Sequence, residues 1–332
     1  MPDSMSEQPP YAELSPERIL DAIEAAGFPP DGSMLALNSY ENRVYQIGLE
    51  TGGFLVAKFY RPQRWSDQTI LEEHSFTLAL AAEEIPVVAP LADDAGNTLF
   101  SHLGHRFSLF PRQGGRWPEL ENSDNLRWIG RFLGRIHQLG AVEPFKHRPG
   151  IDPRVTIPEA SGYLLSHDFI PLELEGSYRA LCQTLQEQIM AGFQQRPPCR
   201  WIRLHGDCHP GNILWTDKGP HFVDMDDCRM GPAVQDLWML LSGDPEEMAQ
   251  QFHELREGYE TFRRLDLREI ALIEPLRTMR MIDYAAWLAR RWQDPAFPTA
   301  FPWFNTRQYW SEHLASLEQQ SAVLRQPPIA VY

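Results

Sequence analysis

Apolar residues change their spacing near residue 110, and that change divides the chain. A helical period opens at Ser15-Pro16-Glu17, with Ser15 as N-cap and Pro16 at the first helical position, where no N–H is needed. Ile19, Leu20 and Ile23 make one face, and Gly27 with Pro29-Pro30 ends it. From about 34 to 60 the spacing shortens to that of strands. Arg43–Ile47, a Glu50-Thr51-Gly52-Gly53 turn and Phe54–Tyr60 predict a hairpin. Residues 66–82 return to helical spacing through Ile70, Leu71, Phe76, Leu78 and Leu80. Short strands are expected at 97–101 and 105–110. Residues 34–110 thus predict a small antiparallel sheet with one helix packed on it.

The Pro/Gly-rich run 111–118 breaks both patterns. Beyond it the chain reads as mainly helical. Residues 124–139 place Ile129, Phe132, Leu133 and Ile136 on one face, with Gly140 as the stop. Further helices are expected at roughly 176–194, 233–242, 246–263, 267–292 and 306–324, and 145–175 is expected to be irregular. The resulting division is a mobile tail (1–14), an N-lobe (15–110), a hinge (111–116) and a C-lobe (117–332).

Composition supports two lobes. With 332 residues and 43% hydrophobic positions, the chain exceeds the roughly 250–300 residues at which a single core tends to split. Lysine plus arginine is 30 against 45 for aspartate plus glutamate, a net charge of −15. That balance argues against nucleic acid or an anionic membrane as partner. Cys182, Cys199, Cys208 and Cys228 are too few for a disulfide framework and suggest reduced thiols in the cytoplasm. The polar, acidic start has no apolar core of a targeting peptide, and no apolar run is long enough for a membrane span.

The chemistry concentrates in residues 204–228, LHGDCHPGNILWTDKGPHFVDMDDC. Ile213-Leu214-Trp215 and Phe222-Val223 are strand-like, with Asp217-Lys218-Gly219 as the turn. A turn centred on Lys218 sets Asn212 opposite Asp224, and such pairs lie about 4.5–5.5 Å apart at Cα. Asp207 lies in the loop just before. An amide oxygen and a carboxylate suit a hard cation such as Mg²⁺, and a third carboxylate beside them suits phosphoryl transfer, where it orients the attacking hydroxyl. Asp226 is a candidate outer or second metal ligand. Lys58, on the apolar strand Val56–Phe59, is placed to meet phosphates. Glu73 is the preferred carboxylate to hold it, since it shares a helix face with Leu80.

Other residues read more plainly. His137 ends an amphipathic helix and is expected in the core, and Asp236 is expected to brace the loop around Asp207. His205, Cys208, His209 and Cys228 match no usual zinc spacing. Cys208 and Cys228 flank this candidate centre, so their oxidation is expected to inhibit activity. Arg277 and Arg280 sit on a helix that could form an acceptor wall.

His205-Gly206-Asp207, Asn212 and Asp224 resemble the motif of the aminoglycoside-phosphotransferase-like kinases, which include choline and homoserine kinases. Further matching segments are LNSYENRVYQ (37–46), ILEEHSF (70–76), FVDMDD (222–227), GPAVQDLWMLL (231–241) and DPAFP (294–298). The resemblance implies an α+β, bilobal protein-kinase-like fold with a small antiparallel-sheet N-lobe and a mainly helical C-lobe. It implies ATP and Mg²⁺ as cofactors, with Asp207 as proton acceptor and Asn212 and Asp224 as metal ligands. It makes Lys58 the nucleotide lysine, Ser39 a phosphate-loop contact, and Phe107–Arg112 the hinge receiving adenine through Phe110 and Arg112. The expected enzyme is a monomeric bacterial Ser/Thr protein kinase of the stress response; a small-molecule hydroxyl kinase is the alternative, and a non-catalytic nucleotide binder a third. Three features depart from eukaryotic protein kinases: the loop 38–45 has no glycine, Met225-Asp226 follows the metal aspartate, and only six residues separate Asp224 from Gly231, too few for an activation loop.

Overall fold

A computed structural model describes residues 10–194 and 199–330. Two compact units result. One runs through Arg116 and adds residues 214–226 and 294–296; the other comprises 117–213, 227–293 and the chain from Phe297 onward.

The first unit is built on an antiparallel sheet of five strands in the order β1-β2-β3-β5-β4. The strands are β1 (Pro30–Ala36), β2 (Arg43–Leu49), β3 (Phe54–Phe59), β4 (Phe100–His102) and β5 (His105–Pro111). Helix α1 (Pro16–Ala25) starts where the sequence places it, the Ser15 hydroxyl accepting from the Arg18 N–H. Helix α2 (Asp67–Ala82) is capped in the same way by Ser66, which accepts from Thr69 N–H. Ile19, Ile23, Ile47, Leu55, Phe59, Phe107 and Leu109 form one buried cluster, with the Phe59 and Phe107 rings stacked at 5.0 Å. The expected hairpin is β2–β3, paired from Arg43↔Phe59 to Gly48↔Phe54.

One expectation for this unit needs correction. Residues 1–9 of the expected tail lie outside the described residues, but Tyr11 is buried, and its hydroxyl donates to the Phe59 carbonyl at 3.3 Å. An aromatic ring with a satisfied hydroxyl anchors this part of the expected tail. The strand expected at 105–110 is β5, and Phe110, for which the resemblance also implies an adenine contact, pairs with Val56 within it. The strand extends because β3 offers it a ladder through Pro111.

The second unit contains α3 (Ser123–Gly140), α4 (Pro153–Ser166), α5 (Leu172–Gln194), α6 (Val234–Trp238), α7 (Pro245–Tyr259), α8 (Ile273–Arg290), α9 (Ala296–Ala300, mostly here) and α10 (Arg307–Val323). Strands β6 (Ile202–Leu204) and β9 (Arg229–Gly231) pair within it. The hairpin β7 (Ile213–Thr216) and β8 (Gly219–Phe222) leads out of it. Helix α4 occupies part of the segment expected to be irregular. Asp152 caps it and Pro153 opens it, while Pro158 inside it hides the period from the sequence. Burial of Ile157, Ala160 and Leu164 carries the helix past that proline. Gly140 is the last residue of α3, where a Cβ would meet the Arg203 carbonyl oxygen at 2.2 Å. Its role is close approach to β6. Among the described residues, no helix is long and apolar enough to cross a membrane.

Candidate active site

The hairpin β7–β8 carries Asp224 into the first unit by backbone hydrogen bonds remote in sequence. Phe222 N–H donates to Pro86 O at 2.8 Å, and Val88 N–H donates to Phe222 O at 3.1 Å. Trp215 and Arg116 exchange N–H···O bonds of 2.7 and 3.0 Å. The turn is the two residues Asp217-Lys218, so the hairpin centre falls between them and not on Lys218. Asn212 closes a 3₁₀ turn and Asp224 has a left-handed backbone, φ 58°, so neither stands in the ladder. Facing each other as a ladder pair, as the sequence suggested, is therefore corrected. A non-glycine residue in this region stores strain, and such residues cluster at functional positions.

Lys58 projects from β3, nearly fully buried. Its Nζ lies 2.9 Å from Asp224 Oδ1 and 3.1 Å from Asp226 Oδ1. Burial opposes its charge, but Asp224, Asp226 and then Glu73 outweigh that and hold its pKa well above the ordinary lysine value. Glu73, the expected partner, is buried on α2 and acts on the lysine charge less than Asp224 and Asp226, which make the direct ion pairs. Asp226, expected as an outer or second metal ligand, is buried and also takes the Arg64 guanidinium and, at 3.3 Å, the Asn42 amide N–H. Its engagement with these cations makes it an anchor of the lysine.

Asn42 ties in the loop that carries Ser39. Its Oδ1 accepts from Arg61 N–H at 3.1 Å, and the Ser39 hydroxyl donates to the Asn42 carbonyl at 3.1 Å. Arg61 and Arg43 are held by buried Asp294 at 2.7 and 3.0 Å. The DPAFP segment thus contributes a carboxylate to the first unit from late in the chain. Arg112 follows β5, its Nε donating to Gln46 Oε1 at 3.1 Å.

In the second unit, Asp207 follows β6 on a loop held by Asp236. Asp236 is fully buried and accepts from His205 N–H and Gly206 N–H, both at 2.8 Å, with His137 Nε2 at 2.9 Å. Burial alone pushes its pKa up, but the His137 hydrogen bond and charge, with His205 and the Gly206 N–H, hold it below the ordinary aspartate value. The expected roles of Asp236 as brace and His137 as core histidine both agree with this geometry. Gly206 has φ 85°, and a Cβ there would meet Asp227 O at 2.2 Å. Only glycine fits.

Asp207 Oδ1 receives Arg280 Nη1 at 2.5 Å, and Oδ2 faces His209 Nε2 and Asn212 Nδ2, each at 3.5 Å. His209 Nδ1 accepts from Gly211 N–H at 3.0 Å, which assigns its proton to Nε2, toward Asp207. Asn212 Nδ2 donates to the Asp207 carbonyl at 2.9 Å. That bond fixes the amide orientation, with Oδ1 as its acceptor atom. Asp224 is exposed, with Oδ1 on Lys58. The Asn212 amide and the Asp224 carboxylate each offer an oxygen donor of the kind a hard divalent cation takes, Asn212 within the second unit and Asp224 within the first. Cys208 and Cys228 are fully buried, and burial followed by Asp236 and Asp207 pushes the Cys208 thiol well above its ordinary value. Burial and the raised pKa both disfavour the thiolate, the form that oxidises, and so argue against the expected sensitivity of Cys208.

Residues 34–273 match the phosphotransferase enzyme family, APH. The chain belongs to this family. As a member of the APH family it is a kinase-type phosphotransferase, with the antiparallel-sheet N-terminal region and helical C-terminal region of its structural neighbours. It is 46% identical over 319 residues to "Stress response kinase A" of Escherichia coli (strain K12), covering 96% of each chain. It is 45% identical over 326 residues to "Serine/threonine protein kinase RdoA" of Salmonella typhimurium (strain LT2), again covering 96% of each. Among solved structures, an amicoumacin kinase aligns with TM-score 0.73 at 19% identity, covering 95% of this chain and 94% of that one. A microcompartment-associated aminopropanol kinase aligns with TM-score 0.68 at 16% identity, covering 92% and 95%. The APH fold is thus shared with these small-molecule kinases.

The sequence missed Arg64 and Asn42, and it singled out Arg280 for an acceptor wall without its pairing to Asp207. Arg280 lies 73 residues from Asp207, and no local pattern links the two. Asn42 lies inside the resembling segment 37–46, which was the available signal.

Proposed function

We propose that this phosphotransferase is an ATP- and Mg²⁺-dependent Ser/Thr protein kinase of the cytoplasm, acting as a monomer in a stress response. The observation that carries the reading is Asp207, presented on a loop fixed by buried Asp236 and flanked by His209 and Asn212. A carboxylate so placed can orient an acceptor hydroxyl and take its proton. Lys58, fixed in its charged form by three carboxylates, is proposed to meet the nucleotide phosphates, with Ser39 on the loop tied to Asn42. Phe110 and Arg112 are proposed as adenine contacts through their backbone groups. Asn212 Oδ1 and Asp224 are proposed to hold Mg²⁺, which when bound neutralises charge on the phosphates. The protein acceptor and the stress role rest on the names of the curated relatives at 45–46% identity.

The test is transfer from γ-labelled ATP with Mg²⁺ to a panel of protein acceptors and small hydroxyl metabolites. Label in serine or threonine supports the reading; label in metabolites alone overturns the protein-kinase assignment in favour of a small-molecule kinase. Asp207→Asn is expected to lose about 10²- to 10⁴-fold in kcat while ATP-analogue affinity is kept. Asp224→Ala is expected to weaken Mg²⁺-dependent nucleotide binding itself. Wild-type turnover in Asp207→Asn refutes the proton-acceptor role.

A further inference from the structure

One of the two Asp207 carboxylate oxygens is already occupied by a cation. Arg280 Nη1 sits 2.5 Å from Oδ1, while the partners of Oδ2 stand back at 3.5 Å. A hydroxyl giving its proton to Asp207 must come within roughly 2.6–3.2 Å of one of these oxygens, where it displaces the guanidinium at Oδ1 or sits beside it at Oδ2. Arg280 comes from α8, and its side chain is 41% exposed against 22% for Asp207. The solvent-facing approach to the carboxylate therefore carries a permanent positive charge, because a guanidinium does not deprotonate in proteins. One turn earlier, Arg277 is committed elsewhere: Nε bonds Glu274 at 3.1 Å and the guanidinium lies 5.0 Å over the Trp238 ring.

We propose that Arg280 is a specificity-determining residue that selects acceptors with a carboxylate or phosphate beside the reacting hydroxyl. For a protein acceptor, on which this inference rests through the kinase reading, that means an acidic side chain flanking the serine or threonine. The anion gives the guanidinium fork a second partner and draws it from Oδ1, and the hydroxyl takes the released position. A cationic acceptor offers no such exchange and is repelled. No bond is made or broken beyond the phosphoryl transfer already proposed.

The test uses three short peptides identical except for Glu, Gln or Lys flanking one serine, and a second set with alanine in place of that serine. Binding of the alanine set is measured by calorimetry with Mg²⁺ and AMP-PNP, and phosphorylation of the serine set by label transfer, for wild type, Arg280→Gln and Arg280→Lys. The wild type is expected to favour the Glu over the Lys peptide by about tenfold in both measurements, the size of one charge-assisted contact. Arg280→Gln is expected to bring the two within about twofold, the remnant of unspecific electrostatics, and Arg280→Lys to keep part of the preference. An unchanged ratio in Arg280→Gln overturns the proposal, as does a uniform loss of kcat on all three peptides with the ratio kept, which marks a residue that only braces Asp207. Binding preference without transfer sinks the kinase reading and leaves the recognition standing; transfer without preference does the reverse.

Discussion

Replacing Asp236 with asparagine tests how the loop around Asp207 is held. The carboxylate takes His205 N–H and His137 on Oδ2 and Gly206 N–H on Oδ1, with no access to water. An amide of the same shape has one oxygen, so its NH₂ must face either Gly206 N–H or His205 N–H. His137 can adapt by changing tautomer, since Nδ1 lies against the Tyr259 hydroxyl, but a backbone N–H cannot. The variant therefore leaves at least one buried donor against another donor and loses the charge-assisted bonds. Removing one member of such a buried set costs about 3–5 kcal/mol. Urea denaturation followed by tryptophan fluorescence measures it, as a shift of the midpoint at constant slope. The wild-type contribution is fully present above the ordinary aspartate value of 3.8 and is lost as pH falls through the lower folded value, so the deficit of the variant shrinks in acid. A loss under about 1 kcal/mol at neutral pH, the worth of one ordinary hydrogen bond, refutes the bracing account.

Three further outcomes follow from burial. Glu269, whose Oε2 accepts from Val234 N–H at 2.9 Å, has its pKa pushed by burial from 4.5 to about 7. The folded state then holds this proton more tightly than the unfolded chain, so stability falls as pH rises from 4.5 to about 7, by up to roughly 3 kcal/mol. Glu269→Gln should flatten that limb of the pH–stability curve, and parallel curves for the two proteins would contradict the assignment. Gly206→Ala forces a Cβ to 2.2 Å from Asp227 O in a left-handed backbone, and should cost about 2 kcal/mol or more with loss of transfer activity. Cys208, with no exposed surface and a raised pKa, should resist peroxide in the native protein and react only on unfolding; mass spectrometry showing early Cys208 oxidation would contradict this.

What the sequence determined was what short-range physics encodes. Ser15 and Ser66 mark helix starts because a hydroxyl reaches an N–H three residues on. The β2–β3 hairpin follows from a glycine-rich turn between apolar runs, and the Asp207–Asn212 pair is legible because both lie on one short loop. Glu73 was placed on the buried face of α2 by helical spacing from Leu80. The tertiary structure alone decided who partners whom at long range. Lys58 meets Asp224 because the β7–β8 hairpin bonds to Pro86, Val88 and Arg116, and those bonds depend on chain path. The same holds for Arg280 on Asp207 and for Asp294 on Arg43 and Arg61. Periodicity and capping act over one or two turns of chain, whereas a buried charge selects its partner by what the fold brings within a few ångströms, and no local pattern records that choice.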